Sequence, residues 1–385
     1  MGNLLEKLRS KDTCRIRNVL FDMAMTIEVL IVLMDKSDYI FPYPSQVFRI
    51  TFLLTSIIVL LELPHFSKKE LLVCFILCVI AAIGYRQTGR NELLRFLMFG
   101  IACKDLNVND KLKIYFYEIT AGCLGIMILS LLGIYGRMYN IDDGGVSRLC
   151  FGMGDSNAFH CMVLMEMALF IYLYDKRLKW YIYIALFMLN IIIYLATDCS
   201  TAMICASLLC IASAIVHLTK IGSKIYAYLL GIGVFVFDIC FSIWSAAESK
   251  NTWGEWTLVD QIDKWLTGRI MNIYWGTQRH GGSLETWKMF SERDTEIYFD
   301  MGWIRLFYWY GWIPALIIVL LFLVLLTKAM RDKNSRLLVL LTVLGIYTIV
   351  EAHLVSVYIG RNFVLLILVG YLFNCRKGII ENEQQ

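Results

Sequence analysis

Residues 247–299 read AESKNTWGEWTLVDQIDKWLTGRIMNIYWGTQRHGGSLETWKMFSERDTEIYF. This stretch is the one long polar interval between apolar segments in a chain of 385 residues. It carries five of the ten tryptophans, namely Trp253, Trp256, Trp265, Trp275 and Trp287. Disordered linkers are poor in aromatic residues, so the stretch is predicted to be a folded loop, bounded here as residues 247–300.

The loop also contains a helical pattern. Trp256, Val259, Ile262 and Leu266 fall at positions i, i+3, i+6 and i+10, and charged residues lie mostly between them. This spacing predicts an amphipathic helix with an aromatic-rich apolar face. Such a helix is a candidate for lying on a bilayer surface, where tryptophan favours the headgroup level. The alternative is a folded cap that only covers the membrane part.

The sequence outside the loop is strongly apolar. Hydrophobic residues make up 58% of the chain, the mean hydropathy is +0.62, and only 4 prolines interrupt it. Backbone polar groups in lipid must be satisfied within each segment or within a closed barrel. The apolar runs are too long and too uniform for alternating barrel strands. The predicted class is therefore an all-α, polytopic membrane protein with a single integral domain, residues 1–385.

Twelve apolar segments are predicted to span the membrane. The third, the fourth and the last are short, so eleven spans are the alternative. No cleavable signal peptide is expected, because residues 1–17 are basic and polar and the first apolar run continues as a full span. The predicted spans are 18–34, 46–63, 71–84, 92–102, 115–135, 157–174, 178–196, 200–217, 225–246, 302–327, 335–351 and 361–374.

The distribution of lysine and arginine predicts the orientation. With a cytoplasmic N-terminus, the inner segments hold 21 of the 36 basic residues, as the positive-inside rule requires. Both termini are then cytoplasmic and the 247–300 loop is extracytoplasmic. The net charge of +4 is small and gives no reason to expect a nucleic-acid partner.

The 12 cysteines do not form a disulfide framework, because most of them sit inside apolar runs. Cys150 and Cys199 fall near one membrane surface and could pair, but nothing requires it. No Cys-x-x-Cys pair and no cysteine and histidine cluster at metal-ligand spacing is present in the sequence. No metal site and no cofactor is therefore predicted.

The predicted outer side is rich in arginine, whereas the inner side is rich in lysine. Arginine keeps its charge and binds phosphate in a bidentate manner. Outer arginines gain nothing from the positive-inside effect, so we expect several of them to have another partner. The loop adds Arg269, Arg279 and His280, which it could bring over a site between the helices. Ion pairs with Asp and Glu are the alternative for any single arginine.

Three outer clusters are candidates for the site. The first runs from Arg148 to Asn157 and contains two glycines before a helix start, which is a potential anion site. The second is Arg269 after Gly268. The third is Asp300, followed by a helix that carries Arg305. For the first and third clusters the alternative is a simple turn with a helix cap.

Acidic residues complete the set of candidates. Glu351 lies at the outer end of the eleventh span and is followed by His353, Arg361 and Asn362. Asp198 lies between the seventh and eighth spans. Acidic residues inside spans usually face the interior of the bundle, where they serve as packing groups or as a relay. The deeper acids here are Glu28, Glu118, Glu166 and Asp238.

Over roughly residues 90–375 the pattern resembles the O-antigen polymerase (Wzy-type) family, especially members from Gram-positive capsule and exopolysaccharide clusters. Five weak motifs carry the resemblance by their order and spacing. They are Arg148 with Phe151, Gly152 and Asn157; Thr197-Asp-Cys-Ser-Thr201; Leu266-Thr-Gly-Arg269; Asp300 through Gly311; and Glu351 with Asn362. Two positions depart from the family pattern, since Ser200 stands where the family usually has Arg and Trp303 where it has Tyr.

The resemblance implies a membrane-embedded, metal-independent glycosyltransferase of GT-C-like architecture. Such an enzyme transfers a growing glycan from undecaprenyl diphosphate onto an incoming lipid-linked repeat unit at the outer face of the cytoplasmic membrane. Arg148, Arg269 and Arg279 would then stabilise the diphosphate leaving group. An inverting displacement needs a base; Asp300 is our first choice, with Glu351 and His353 as alternatives. A flippase and a chain-length regulator are the expected protein partners.

Three other functions remain open. A ligase of the same superfamily would pass the finished glycan to a different acceptor. A lipid-linked oligosaccharide flippase or another transporter would need paired halves and charge along a transmembrane path, and no internal repeat is evident. A non-enzymatic assembly or sensor protein would tolerate the loss of each outer arginine.

Overall fold

A computed structural model describes residues 11–141, 145–252, 257–277, 279–293 and 297–373. Within these residues the chain is helical apart from one two-stranded hairpin, so the predicted all-α class is confirmed. The elements of the first half are α1 (Lys11–Lys36), α2 (Pro44–Glu62), α3 (Lys68–Thr88), α4 (Glu92–Ala102), α5 (Val108–Leu131), β1 (Tyr139–Ile141), β2 (Ser147–Leu149) and α6 (Ser156–Tyr174).

The second half begins with three long helices and continues into the loop. Two short helices within the loop precede the last four helices of the described chain. The elements are α7 (Trp180–Thr197), α8 (Ser200–Leu218), α9 (Ile225–Glu248), α10 (Leu258–Trp265), α11 (Arg269–Tyr274), α12 (Gly302–Tyr310), α13 (Trp312–Arg331), α14 (Ser335–Val350) and α15 (Val364–Leu372).

Eight helices in the described part of the chain are long and apolar enough to cross a membrane: α2, α3, α5, α6, α7, α8, α9 and α13. Helices α3 and α7 leave large apolar side chains such as Phe75, Ile184 and Ile192 exposed. A soluble protein rarely exposes apolar surface on this scale, whereas a lipid-facing helix does. These helices indicate a membrane protein.

Helices α12 and α14 lie at the centre of the bundle. Helix α14 packs against α6, α8, α9, α12 and α13, and all nine residues of α12 are buried. Helix α14 ends at Val350, one residue before the predicted boundary, so Glu351 is the first residue of the following loop. Asp300 lies just before α12 and Glu351 lies just after α14. The packing of these two helices therefore brings Asp300 and Glu351 beside each other.

The predicted span 302–327 is two helices in the structure. Gly311 separates α12 from α13 with a φ of +91°. A Cβ at this position would lie 2.6 Å from the Cα of Phe290, so only glycine fits. The loop backbone fills the break: the N–H groups of Trp312 and Ile313 donate to the carbonyls of Lys288 and Met289 at 2.8 and 3.0 Å. The loop backbone at Lys288 and Met289 therefore lies against the break between α12 and α13.

The amphipathic helix predicted in the loop corresponds to α10, which starts at a capping box formed by Thr257 and Asp260. Val259 is only 4% exposed, and Ile262 and Leu266 pack against the core. The predicted apolar face is therefore turned toward the protein, as in a folded cap. Trp253 and Trp256 lie outside the described residues.

The pairing that the sequence left open for Cys150 and Cys199 is not made, since both are free thiols. Cys150 donates to the carbonyl of Arg137 at 3.1 Å.

Candidate active site at Arg269

The turn between α10 and α11 fixes Arg269 at the first position of α11. Gly268 has a φ of +80° and ends the turn. The side chain of Asp263 reaches across from α10, and its Oδ1 accepts the N–H groups of Ile270 at 2.7 Å and Met271 at 3.1 Å. These two hydrogen bonds hold the backbone that directly follows Arg269 and so fix the start of α11.

Arg269 lies between two carboxylates. Its Nη2 donates to Glu351 Oε1 at 2.7 Å, and its Nε is 3.8 Å from Asp300 Oδ2. Its Nη1 donates to Thr267 Oγ1 at 2.8 Å. The side chain is only 15% exposed, so water screens these interactions weakly. Three predicted candidates from three distant segments thus meet in one site.

The two carboxylates differ in their surroundings. The side chain of Asp300 is 47% exposed, whereas that of Glu351 is 17% exposed. Burial raises the pKa of Glu351 to about 7, against the opposing effect of Arg269, and the negative charge of Asp300 adds to the rise. The N-cap of α12 is Met301, so Asp300 is not occupied as a helix cap. Asp300 is therefore the more accessible of the two carboxylates, while Glu351 is the one that accepts a hydrogen bond from Arg269.

The first two motifs of the family resemblance also meet. Arg148 lies on β2 and donates from Nη2 to Asp198 Oδ2 at 2.9 Å; Asp198 forms the turn between α7 and α8. Thr197, the residue before Asp198, lies 3.1 Å from the ring of His160, and the neighbouring Cys161 accepts a hydrogen bond from Tyr347 in the last turn of α14. The Arg148 pair therefore lies at the same end of the bundle as Arg269.

Asn157 is exposed near the start of α6, but the helix start is not an open anion site. Oδ1 of Asp155 accepts the N–H groups of Asn157 at 2.7 Å and Ala158 at 3.4 Å. The alternative of a simple turn with a helix cap describes this motif, because the chain itself satisfies the N–H groups that an anion would use.

Arg305 is used within the protein. It is 2% exposed, donates from Nε to the carbonyl of Phe299 at 2.9 Å, and its guanidinium lies 3.7 Å from the ring centroid of Tyr298. Phe299 immediately precedes Asp300. Arg305 therefore holds the backbone that carries Asp300, and its described contacts are internal to the protein.

Arg361 and Asn362 likewise make internal contacts. Arg361 pairs with Asp35 at the end of α1 and lies over the ring of Tyr358 at 4.7 Å. Asn362 donates from Nδ2 to the carbonyl of Leu354 at 3.3 Å. These contacts tie the loop after α14 to α1.

His353 is not among the partners of Arg269. It is 8% exposed and lines a small cavity with Tyr115 and Glu166. Burial, together with the positive charges of Arg361 and Lys36, holds the pKa of His353 well below its usual value, so the ring is neutral. Arg279 is exposed at the surface of the loop and is not among the partners of Arg269 named above.

The acidic partners of several arginines were not identified from the sequence. Arg95 pairs with the buried Glu28 at 3.2 Å and Arg137 pairs with Asp38 at 2.9 Å, so two of the arginines that were predicted to face outward have acidic partners. Their partners lie 67 and 99 residues away, and no local pattern reveals such distances. Thr51 also donates to Glu28 at 2.6 Å, so this deep acid has two partners inside the bundle.

Comparison with known proteins gave no match among family models, curated proteins or solved structures. Within the described ranges, no group of three or more His, Cys, Asp or Glu side chains is arranged to hold a metal ion. The function therefore has to be argued from the site itself.

Proposed function

We propose that the chain is a polysaccharide polymerase that joins undecaprenyl-diphosphate-linked oligosaccharide repeat units. The observation that carries the proposal is the meeting of Arg269, Asp300 and Glu351, which stand in three separate motifs of the Wzy-type pattern. A cation between two carboxylates of unequal exposure supplies both a charge for a leaving group and a base for an acceptor.

In the proposed reaction, the hydroxyl oxygen of the incoming repeat unit attacks the anomeric carbon of the growing glycan. The bond from that carbon to the diphosphate oxygen breaks, with inversion at the carbon. Asp300 takes the hydroxyl proton, as its 47% exposure allows. The N–H groups of Arg269 that are not bonded to Glu351 stabilise the charge that develops on the diphosphate. In this proposal Arg148, which Asp198 holds at the same end of the bundle, and the exposed Arg279 contact other parts of the lipid-linked substrate.

The proposed membrane arrangement has twelve spans, both termini in the cytoplasm and the 247–300 loop on the outer side. Helix α1 and the shorter helices α4, α14 and α15 would then complete the twelve spans beside the eight helices named above. The donor and acceptor are both membrane-anchored, so a site at one end of the helices lets both lipids stay in the bilayer. A flippase that delivers the repeat units and a chain-length regulator are the proposed partners.

Lipid-linked glycans from cells that lack the gene test this proposal. Accumulation of single repeat units on the outer leaflet supports a polymerase. Full-length polymer that stays on its lipid carrier would indicate a ligase instead, and units held on the cytoplasmic leaflet would indicate a flippase.

A further inference from the structure

Two cysteines lie together at the same end of the bundle as Arg269. Cys161 is in the second turn of α6, and Cys199 is the N-cap residue of α8. Their side chains are hydrogen-bonded to each other, and both are free thiols. They are only 6% and 3% exposed. Neither thiol takes part in the reaction proposed above, so the pair requires an explanation of its own.

The residue before Cys161 is His160, which is fully buried, and its Nδ1 makes one of its two hydrogen bonds to Thr197. The distance from Nδ1 to Thr197 Oγ1 is 3.1 Å. The single hydroxyl proton of Thr197 is donated to the carbonyl of Ile193 at 2.9 Å. The hydroxyl oxygen can therefore only accept from the ring, so Nδ1 of His160 carries a proton.

The other ring nitrogen of His160 also carries a proton. Its Nε2 lies 2.9 Å from Asn190 Oδ1. The amide group of Asn190 is oriented by its two donor bonds, from Nδ2 to the carbonyl of Met203 at 2.9 Å and to the hydroxyl of Ser207 at 3.0 Å. Oδ1 therefore accepts from Nε2. With both nitrogens as donors, His160 is an imidazolium cation.

A buried cation needs an anionic partner, because an isolated charge is costly to remove from water. Cys199 lies beside His160 and at the positive end of α8. Its hydrogen bond with Cys161, followed by its interaction with His160, holds the pKa of Cys199 well below its usual value. Tyr347 donates to Sγ of Cys161, which leaves the Cys161 proton to face Cys199. Cys199 is therefore the thiolate and Cys161 the thiol.

We propose that Cys199 and Cys161 form a redox-active pair that a small hydroperoxide converts into a disulfide. A thiolate stabilised by a cation and a helix N-terminus is the reactive form of cysteine, and a second thiol beside it completes the reaction. Because both sulfurs are almost fully buried, a molecule as small as hydrogen peroxide is the fitting oxidant, whereas a protein disulfide is too large. This inference does not rest on the proposed function.

The reaction takes two steps. The thiolate of Cys199 attacks one oxygen of the peroxide, so that an S–O bond forms, the O–O bond breaks and hydroxide leaves. The thiol of Cys161 then attacks the sulfur of the resulting sulfenic acid. The S–S bond forms, the S–O bond breaks, and the hydroxyl group leaves as water with the proton of Cys161. The two sulfurs lose two electrons in total, and the peroxide gains them.

The disulfide would link α6 to the turn between α7 and α8, which carries Asp198, the partner of Arg148. Oxidation also removes the negative charge beside His160. The loss of this favourable interaction stabilises the reduced pair relative to the disulfide, as in strongly oxidising thiol pairs. The link should therefore be readily reversible, as a peroxide-sensing device requires.

The test uses the wild-type full chain in phospholipid nanodiscs. The reduced protein is treated with hydrogen peroxide and quenched with catalase; it is then unfolded, alkylated with N-ethylmaleimide and digested without reduction. Mass spectrometry should find the peptides of Cys161 and Cys199 joined, and dithiothreitol should separate them. Cys205 and Cys210 are the matched controls, because they lie on α8 and are 3% and 2% exposed. The free thiol of Cys199 should disappear about ten times as fast as theirs.

One variant tests the order of the two steps. Cys161→Ser should stop the reaction at a sulfenic acid on Cys199, which dimedone traps after unfolding, whereas Cys205→Ser should form the disulfide at the wild-type rate. The inference is overturned if peroxide produces no link between Cys161 and Cys199 in the wild-type protein, if Cys205 and Cys210 are oxidised as fast as Cys199, or if Cys199 pairs with Cys150 instead. None of these measurements depends on polymerisation, so the proposed function can fail while the redox pair stands.

Discussion

Arg269 donates a hydrogen bond of 2.7 Å to Glu351, although 82 residues separate them in the chain. The contact joins the first residue of α11 to the residue that follows α14, and Asp300 approaches the same guanidinium from the start of α12. These contacts attach the loop to the most buried helices of the bundle, at the proposed active site.

Replacing Arg269 should abolish polymerisation without removing the protein from the membrane. We expect Arg269→Ala to lower the rate by about 10²–10³-fold, the usual cost of one donor that stabilises a developing charge. Arg269→Lys should recover little, because an ammonium group lacks the fork that faces two partners. Polymer length on gels and protein abundance on blots measure both effects. Arg137→Ala, which breaks an exposed ion pair with Asp38, is the control and should polymerise normally.

The two carboxylates should respond differently to loss of charge. Asp300→Asn removes the proposed base, so kcat should fall by about 10²–10⁴-fold with KM little changed. Glu351→Gln keeps an oxygen that accepts from Arg269, so its loss should be smaller and should include a rise in KM. Steady-state rates with purified lipid-linked oligosaccharide measure the changes in kcat and KM for both variants. A larger loss of kcat in Glu351→Gln than in Asp300→Asn would reverse the two roles.

The pH profile should report the ionisation of Glu351. Its pKa is raised to about 7 by burial, so below that pH the carboxyl group is protonated and loses its charge interaction with Arg269. Activity should therefore rise as the pH increases through about 7 and then level off. Glu351→Gln should lack this rise. A wild-type rate that falls over the same interval would contradict the assigned role of Glu351.

The buried pair of Arg95 and Glu28 should matter for stability. Arg95 is 3% exposed and Glu28 is 1% exposed, so replacing Glu28 alone leaves an uncompensated charge inside the bundle. Glu28→Leu should destabilise the protein by about 3–5 kcal/mol, and the double variant with Arg95→Leu should recover at least half of that loss. Thermal unfolding in nanodiscs measures the loss of stability in the single and double variants. Additive losses would show that the pair makes no coupled contribution.

The proposed orientation can be checked by cysteine labelling from outside the cell. Met289, in the loop, is 68% exposed, and Lys176, between α6 and α7, is also exposed. A membrane-impermeant maleimide should label Met289→Cys in intact cells and Lys176→Cys only after lysis. The unaltered protein measures background from the exposed thiols, which in the described chain are Cys14 and Cys240. The opposite labelling pattern would invert the orientation.

The sequence predicted most helices because apolar runs of sufficient length have few alternatives. For example, the ninth predicted span, residues 225–246, corresponds to α9, which runs from Ile225 to Glu248. The break at Gly311 was missed, because hydropathy does not show that the backbone at Lys288 and Met289 fills the gap. Residues 11–17 were also not predicted to be helical, although they form part of α1. A polar helical turn there is stabilised by tertiary contacts such as the ion pair between Arg17 and Glu62.

The site was predicted in part. The grouping of Arg269 with Asp300 and Glu351 followed from motif order, whereas the internal contact of Arg305 did not. An arginine near a helix start looks the same in sequence whether its partner is a phosphate or the carbonyl of Phe299. Only the fold decides which one lies within reach.

The most direct test of the polymerase proposal is the size distribution of lipid-linked glycans in cells that lack the gene and carry either the wild-type copy or Arg269→Ala. The account predicts a ladder of polymer with the wild-type copy, and single repeat units on the outer leaflet with Arg269→Ala. A normal ladder with Arg269→Ala, in cells where the gene deletion alone abolishes it, would contradict the proposed site.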